Sequence, residues 1–169
     1  MKFLFIYFYH DPGWPQDFAQ EAARVRAVLG ARALAVEHVG STAVPGLSAK
    51  PIIDMLVVVA DSADEDSYVP PLQAAGYRLG IREPGWHQHR LFNGPDREIN
   101  LHVFSVGSPE IDRLLRFRDQ LRRSPADRDL YATNKRRLAS RQWEDVQSYA
   151  DAKSNVIETI LARTHPVSQ

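Results

Sequence analysis

The sequence contains no cysteine among its 169 residues. Disulfide bonds, thiolate metal sites and a cysteine nucleophile are therefore excluded, which fits a reducing compartment. An excess of charge is also missing, because 21 lysine and arginine residues balance 21 aspartate and glutamate residues. Without an overall electric field, we expect neither a nucleic acid nor an anionic membrane to be a partner.

Long apolar runs are absent as well. No run approaches the roughly 18 apolar residues that a membrane-spanning helix needs. The apolar residues 3–9 are followed at once by turn residues and by no small-residue cleavage site, so we interpret them as a strand and not as a secretion signal. We expect a cytoplasmic protein with a single domain over residues 1–169, since a 44% hydrophobic chain of this length can build one core.

Up to about residue 106, short strands alternate with helices. Helical spacing of apolar residues predicts one helix over 15–30 and a second over about 61–76, with Pro70 and Pro71 early in it or interrupting it. Valine-rich or alternating runs predict strands at 3–9, 34–39, 51–59, 77–82, 87–92 and 97–104. The Asn-Gly-Pro-Asp turn at 93–96 joins the last two strands into a hairpin.

From about residue 107 to 165 the pattern becomes helical throughout. Apolar residues recur at three- and four-residue spacing, and Pro125 and Trp143 mark breaks between three helices. The predicted fold class is therefore α+β: a small mixed β-sheet flanked by helices, with a C-terminal helical extension.

The clearest chemical pattern lies in residues 36–59. Gly40-Ser41 follows a strand, where backbone N–H groups and a hydroxyl could face a phosphate because glycine allows close approach. Asp54 stands in an otherwise apolar run and needs a partner, because an unsatisfied buried carboxylate costs several kcal/mol. A metal ion would satisfy it, and so would backbone N–H groups, Lys50 or an arginine. A Gly-Ser turn alone is also common in ordinary loops.

Strand parity groups polar residues around Asp54. In the later strand Glu98, Asn100 and His102 share one face. If that strand neighbours the Asp54 strand, the four side chains form a cluster below the Gly-Ser loop, and their oxygen atoms suit Mg²⁺ or Mn²⁺. The alternative is a half-exposed edge strand whose polar face is wetted by solvent.

Histidines allow a third kind of site. His87 and His89 are two apart in a strand-like run, and together with His102 they could hold a transition metal. The favoured alternative gives these histidines carboxylate, carbonyl or phosphate partners, with one acting as a general acid or base. His38, just before the loop, is expected to pack against the loop or orient it.

Cations are frequent in the helical half. Most arginines between 113 and 141 fit a solvated helix face, while one that faces inward, such as Arg118, could clamp a triphosphate. Tyr131 and Lys135 are one helical turn apart, and so are Tyr149 and Lys153. The favoured interpretation of both pairs is an aromatic core residue with a lysine that extends to solvent.

Taken together, these segments resemble the GrpB family, which is grouped with the DNA polymerase beta-like nucleotidyltransferase superfamily and is also met as a domain fused to dephospho-CoA kinase. The resemblance covers nearly the whole chain. Its motifs are residues 11–18, 38–47, 49–54, 100–103 and 117–119, followed by the two Tyr-Lys pairs.

The resemblance implies a sheet of nucleotidyltransferase type. In active members of the superfamily the Gly-Ser loop holds a nucleoside triphosphate, two acids on the next strand bind two Mg²⁺ ions, and a third acid helps to activate the acceptor hydroxyl. By this pattern the catalytic residues are Asp54, Glu98 and His102. The implied phosphate ligands are Gly40, Ser41, Thr42, Lys50 and Arg118. The implied metal ligands are Asp54, Glu98 and Asn100.

Leu56 departs from that pattern, because it occupies the place of the second acid. Two-metal catalysis needs enough carboxylate charge to hold both ions against a polyphosphate. Two hypotheses remain. The first is an Mg²⁺-dependent transferase acting on a nucleoside triphosphate. The second is a non-catalytic module that binds a nucleotide, a coenzyme or a partner protein of coenzyme A synthesis. Leu56 favours the second, and the buried acid beside a phosphate loop favours the first.

Overall fold

A computed structural model describes residues 9–164, so the strand predicted at residues 3–9 falls outside the described residues except for Tyr9. The α-helices are α1 (Trp14–Leu29), α2 (Val69–Ala74), α3 (Pro109–Arg123), α4 (Pro125–Ala139) and α5 (Val146–Leu161). The strands are β1 (Ala35–Val39), β2 (Ile53–Val59), β3 (Arg78–Glu83), β4 (His89–Asn93) and β5 (Ile99–Ser105).

The five strands of the described residues form one mixed sheet in the order β1-β2-β5-β4-β3. β2 and β5 run parallel, while the other neighbouring pairs are antiparallel. The predicted fold class is confirmed: a small mixed sheet is flanked by helices and followed by three more helices. The hairpin across residues 93–96 is confirmed too, since β4 pairs directly with β5.

One face of the sheet packs against α1 and α2. Pro15 lies in the first turn of α1, where its missing N–H costs no hydrogen bond, and Gly30 ends the helix with a positive φ of 57°. The buried side of α1 carries Ala22, Val25 and Leu29 at helical spacing. These side chains join one apolar cluster with Met55 and other β2 residues that point to this face.

Two predicted elements are shorter in the structure. The helix expected over 61–76 is reduced to α2, because Pro70 and Pro71 fit only the first turn of a helix, and a 3₁₀ turn at Glu65–Ser67 precedes it. The strand expected at 87–92 begins at His89. His87 and Gln88 adopt left-handed φ values of 53° and 50°, which no strand contains.

The opposite face of the sheet packs against the C-terminal helices. Leu56 and Phe104 point to this face and contact apolar residues of α3. Val44 and Leu47, in the loop between β1 and β2, are fully buried against α3, α4 and α5. The helical half therefore covers the Gly-Ser loop. Among residues 9–164, no helix has the length and apolar character required to cross a membrane.

The burial of Leu56 yields a prediction about the missing second acid. Leu56 has no exposed surface, so Leu56→Asp would place a carboxylate in an apolar cluster. We expect the free energy of unfolding to fall by several kcal/mol, measured by urea denaturation in the absence of metal. Leu56→Met, which conserves volume, should cost less than about 1.5 kcal/mol. Equal stability of the aspartate variant and the wild type would contradict the buried position.

Candidate functional site

A small cavity lies where the Gly-Ser loop meets β2, β5, α4 and α5. Its volume is about 110 Å³. Ser41, Thr42, Ala49, Lys50, Ile52, Asp54, Asn100, Lys135, Tyr149 and Lys153 line it. Among the described residues, three lysines and one carboxylate thus line the same half-open cavity.

Gly40 lies directly on the Asp54 carboxylate. Its φ is 74°, and a Cβ atom built on it would be 2.5 Å from Asp54 Oδ2. Real Cβ atoms do not approach an oxygen so closely, and a positive φ is strained for other residues. Only glycine therefore fits at this position. The loop backbone and the acid are therefore packed as one unit.

Three elements hold the loop by hydrogen bonds. From β1, His38 Nε2 lies 2.9 Å from Thr42 Oγ1. From α3, Arg122 Nε donates to the Ala43 carbonyl at 2.8 Å. From α4, Lys135 Nζ donates to Ser41 Oγ at 2.9 Å. The loop conformation thus depends on both halves of the chain.

His38 orients the loop, as its position in the sequence predicted. Its buried ring stacks on Phe18, with ring centroids 4.7 Å apart. Burial first, and then the positive charge of Arg122, lower the pKa of His38 to about 4, so the ring is neutral at physiological pH. Because the Thr42 hydroxyl donates its single proton to the Ile52 carbonyl, His38 Nε2 is the donor in its bond to Thr42.

Lys135 is the most unusual cation of the cavity. The side chain is buried, donates to Ser41 Oγ and to the Ser48 carbonyl, and lies 4.9 Å from the centre of the Tyr131 ring. Burial lowers its pKa to about 7, and the charges of Lys153 and Lys50 act in the same direction. The interpretation of Lys135 as a lysine that extends to solvent is therefore wrong, because α4 turns it towards the loop.

Asp54 begins a chain of hydrogen-bonded side chains that leads away from the cavity. Asp54 pairs with Asn100 in the sheet register, and its Oδ1 lies 3.4 Å from His102 Nε2. His102 Nδ1 lies 2.9 Å from His89 Nε2, and His89 Nδ1 lies 2.8 Å from Glu83 Oε1. The expectation that Asp54, Asn100 and His102 lie together is confirmed.

The histidine metal site is not formed. His89 uses both ring nitrogens for hydrogen bonds, which leaves neither for a metal. His87 is exposed in the turn before β4 instead of sharing a strand face with His89. Across residues 9–164, no three or more histidine, aspartate and glutamate side chains are grouped so that they could hold a metal ion. The favoured alternative, a carboxylate partner, is the one the structure contains.

Comparison with known proteins assigns this chain to a family. A family model described as GrpB protein matches residues 8–163. The chain belongs to the GrpB family. A UPF0157 protein of Halalkalibacterium halodurans is 62% identical over 156 residues, which cover 92% of this chain and 80% of that protein. The crystal structure of the conserved protein GrpB from Enterococcus faecalis has a TM-score of 0.79 at 31% identity, covering 94% of this chain and 98% of that chain.

A second kind of relative is longer. The dephospho-CoA kinase of Mycolicibacterium paratuberculosis is 33% identical over 169 residues, which cover 85% of this chain and 42% of that protein. The dephospho-CoA kinase of Mycobacterium bovis is 30% identical, again with 42% of that protein covered. The match to this GrpB chain therefore accounts for less than half of each kinase.

Four residues expected at the site do not line the cavity, namely Gly40, Glu98, His102 and Arg118. Gly40 and His102 still contact the Asp54 carboxylate. Glu98 is exposed and precedes β5, where its carbonyl accepts a hydrogen bond from the Ile53 N–H at 3.0 Å. Arg118 donates to Glu37 Oε2 at 2.7 Å and to the His38 carbonyl at 3.1 Å, so it ties α3 to β1. Neither side chain lines the cavity.

The sequence interpretation missed two lysines of the cavity. Lys135 and Lys153 lie on α4 and α5, each four residues after a tyrosine. That repeated Tyr-Lys spacing was the available signal, because it gives both lysines an aromatic neighbour on the same helix face. In the structure both ammonium groups lie near the Tyr131 ring, at 4.9 and 5.9 Å from its centre.

The contact between Gly40 and Asp54 can be tested with a matched glycine. We expect Gly40→Ala to destabilise the protein more than Gly46→Ala, measured by urea denaturation. Both positions have a positive φ, of 74° and 80°, so both variants bear a left-handed cost of about 1–2 kcal/mol. Only at Gly40 does the added Cβ also meet the Asp54 carboxylate, since nothing lies within 4 Å at Gly46.

A double-mutant cycle isolates that contact. In an Asp54→Ala background the carboxylate is gone, so the extra cost of Gly40→Ala should shrink. Equal losses for the two glycine variants in the wild-type background would contradict the packing described here.

Proposed function

We propose that the lysine-lined cavity of this GrpB protein binds the phosphate groups of a nucleotide or of another phosphate-bearing small molecule. The observation that carries the proposal is that Lys50, Lys135 and Lys153 line one half-open cavity together with Ser41. Like charges held together in a partly desolvated space repel one another, and an anion between them relieves that repulsion. Asp54 is the one carboxylate among the described residues that line the cavity.

The hydrogen-bonding groups suit phosphate oxygens. Lys135 is fixed by Ser41 and Ser48, so its ammonium group needs little further ordering when a ligand arrives. The hydroxyls of Ser41 and Thr42 line the same space. The order of Gly-Ser loop, strand and first acid is also the one that the nucleotidyltransferase resemblance implies, with Leu56 in the place of the second acid.

Mg²⁺ fits this site only in part. Asp54 and Asn100 are register partners and offer oxygen atoms to the cavity. Mg²⁺ takes six oxygen ligands and commonly binds through one or two protein carboxylates together with phosphates and water. One ion that enters with the nucleotide fits these donors, and it would neutralise phosphate charge. A second ion held by the protein does not fit, since apolar Leu56 replaces the second acid.

Transfer of a nucleotidyl or phosphoryl group is the activity that we assign to this arrangement. Asp54 would hold the metal ion, and His102, which contacts that carboxylate from outside the cavity, would orient it. The three lysines would stabilise charge on the phosphate oxygens.

A second candidate function is a non-catalytic module of coenzyme A synthesis. The observation in its favour is the sequence similarity to dephospho-CoA kinases. Coenzyme A and dephospho-CoA both carry phosphates that the same lysines could hold. Under this function dephospho-CoA would bind more tightly than ATP, and Asp54→Ala would leave its affinity nearly unchanged.

Nucleotide binding can be measured by thermal denaturation. We expect ATP, GTP, CTP or UTP with Mg²⁺ at 100 times its Kd to stabilise the protein by about 2.7 kcal/mol, a rise in Tm of about 5–11 °C for a chain of this size. Lys135→Met should abolish most of the rise, whereas Asp54→Ala should abolish only its dependence on Mg²⁺.

Arg136→Met is the matched control for charge. Arg136 is the next residue on α4 and is exposed, so Arg136→Met replaces a basic side chain by the same residue without touching the cavity. Failure of all four nucleotides and of inorganic pyrophosphate to raise Tm would overturn the proposal.

The low pKa of Lys135 predicts proton uptake on binding. In the ligand-free protein at pH 8, the Lys135 amine is mostly neutral, because its pKa is about 7. A phosphate dianion stabilises the ammonium form and raises that pKa, so binding should take up close to one proton. Affinity should consequently decrease as the pH rises from 7 to 9. Calorimetric titrations at pH 8 in buffers of different ionisation enthalpy measure the uptake, which Lys135→Met should remove.

A further inference from the structure

A second cavity lies beside the first, between β4, β5 and α3. Its volume is about 320 Å³. His102 is part of its wall and contacts Asp54, which lines the lysine-lined cavity. The two cavities are therefore separated by one pair of side chains.

Aromatic rings form the apolar wall of the second cavity. The Trp86 ring centroid lies 5.3 Å from that of His89 and 5.9 Å from that of Phe104, in edge-to-face arrangements. Trp86 nevertheless remains 43% exposed, which is high for the largest apolar side chain. An exposed tryptophan held by other rings offers a rigid surface to a ligand.

Two carboxylates face the same space. Glu83 accepts from His89, and its side chain is 44% exposed. Glu110 is largely buried, with Arg113 Nε 3.3 Å from its Oε2. Burial raises the pKa of Glu110 in spite of Arg113, so its negative charge is incompletely compensated.

Three consecutive hydrogen bonds join Glu83, His89, His102 and Asp54. The histidine pair therefore connects a carboxylate of the second cavity to the carboxylate of the first.

Among the described residues that line the second cavity, the two carboxylates Glu83 and Glu110 have no cation of the lining beside them. Arg113, the cation next to Glu110, is shared with Glu158, which it contacts at 2.5 Å. Arg90, a cation beside His89, is already paired with Glu65 at 2.7 Å.

We propose that the second cavity binds an organic ammonium ion, an amine-bearing molecule with an aromatic or apolar body. Its charge would compensate Glu83 and Glu110, and its body would pack on Trp86 and Phe104, where a cation near an aromatic face gains further attraction. Binding in this cavity does not depend on the phosphate site.

Phenethylammonium and 2-phenylethanol are the probes, because they share an aromatic body and differ in charge. We expect phenethylammonium to bind at least tenfold more tightly at pH 7 and to shift the indole N–H resonance of Trp86 in a ¹H–¹⁵N spectrum, assigned with Trp86→Phe. Glu110→Gln and Glu83→Gln should each weaken phenethylammonium binding about tenfold without affecting 2-phenylethanol. Glu144→Gln, which removes an exposed carboxylate elsewhere, should change neither affinity.

Equal affinity for the two probes would overturn the ammonium assignment, and absence of binding by both at millimolar concentration would overturn the site. These comparisons use the wild-type protein, so they stand even if a variant fails to fold. Lys135→Met should leave phenethylammonium binding unchanged. Amine binding without any nucleotide binding would therefore defeat the phosphate proposal alone.

Discussion

Lys135 carries its ammonium group into the interior and donates to Ser41 Oγ and the Ser48 carbonyl. This contact joins α4 to the loop that separates β1 from β2. Burial removes water from this ammonium group and lowers its pKa to about 7. Lys50 and Lys153 line the same cavity. Such an arrangement is unfavourable in the free protein, and buried charge of this kind is concentrated at functional sites. The anion proposed for the cavity is the group that would relieve it.

The two halves of the chain contribute opposite charges to the site. The sheet supplies Asp54 and Asn100 from adjacent parallel strands, while α4 and α5 supply Lys135 and Lys153. Leu56 is committed to the apolar contact with α3 and is unavailable as a second acid. Within residues 9–164, the site therefore contains cations suited to binding phosphate but lacks the second carboxylate that two-metal catalysis needs. That difference is the physical reason for separating phosphate binding from transfer.

Residues whose geometry is local could be predicted from the sequence. The loop, Asp54 and the shared face of Asn100 and His102 follow from glycine chemistry and the two-residue period of strands, and all lie where expected. Glu98 does not join them, because parity applies only within a strand and β5 begins at Ile99. Lys135 could not be placed, since the direction of its side chain depends on how α4 packs against the loop. That packing is a tertiary contact between residues 94 apart.

The histidine pair links the two cavities in one hydrogen-bonded path. His102 contacts Asp54 on the phosphate side, and His89 contacts Glu83, which reaches solvent. Lysines line the first cavity, whereas carboxylates and aromatic rings line the second. The wall between the cavities is therefore bounded by groups of opposite charge, which is the physical reason why the two cavities suit ligands of opposite charge.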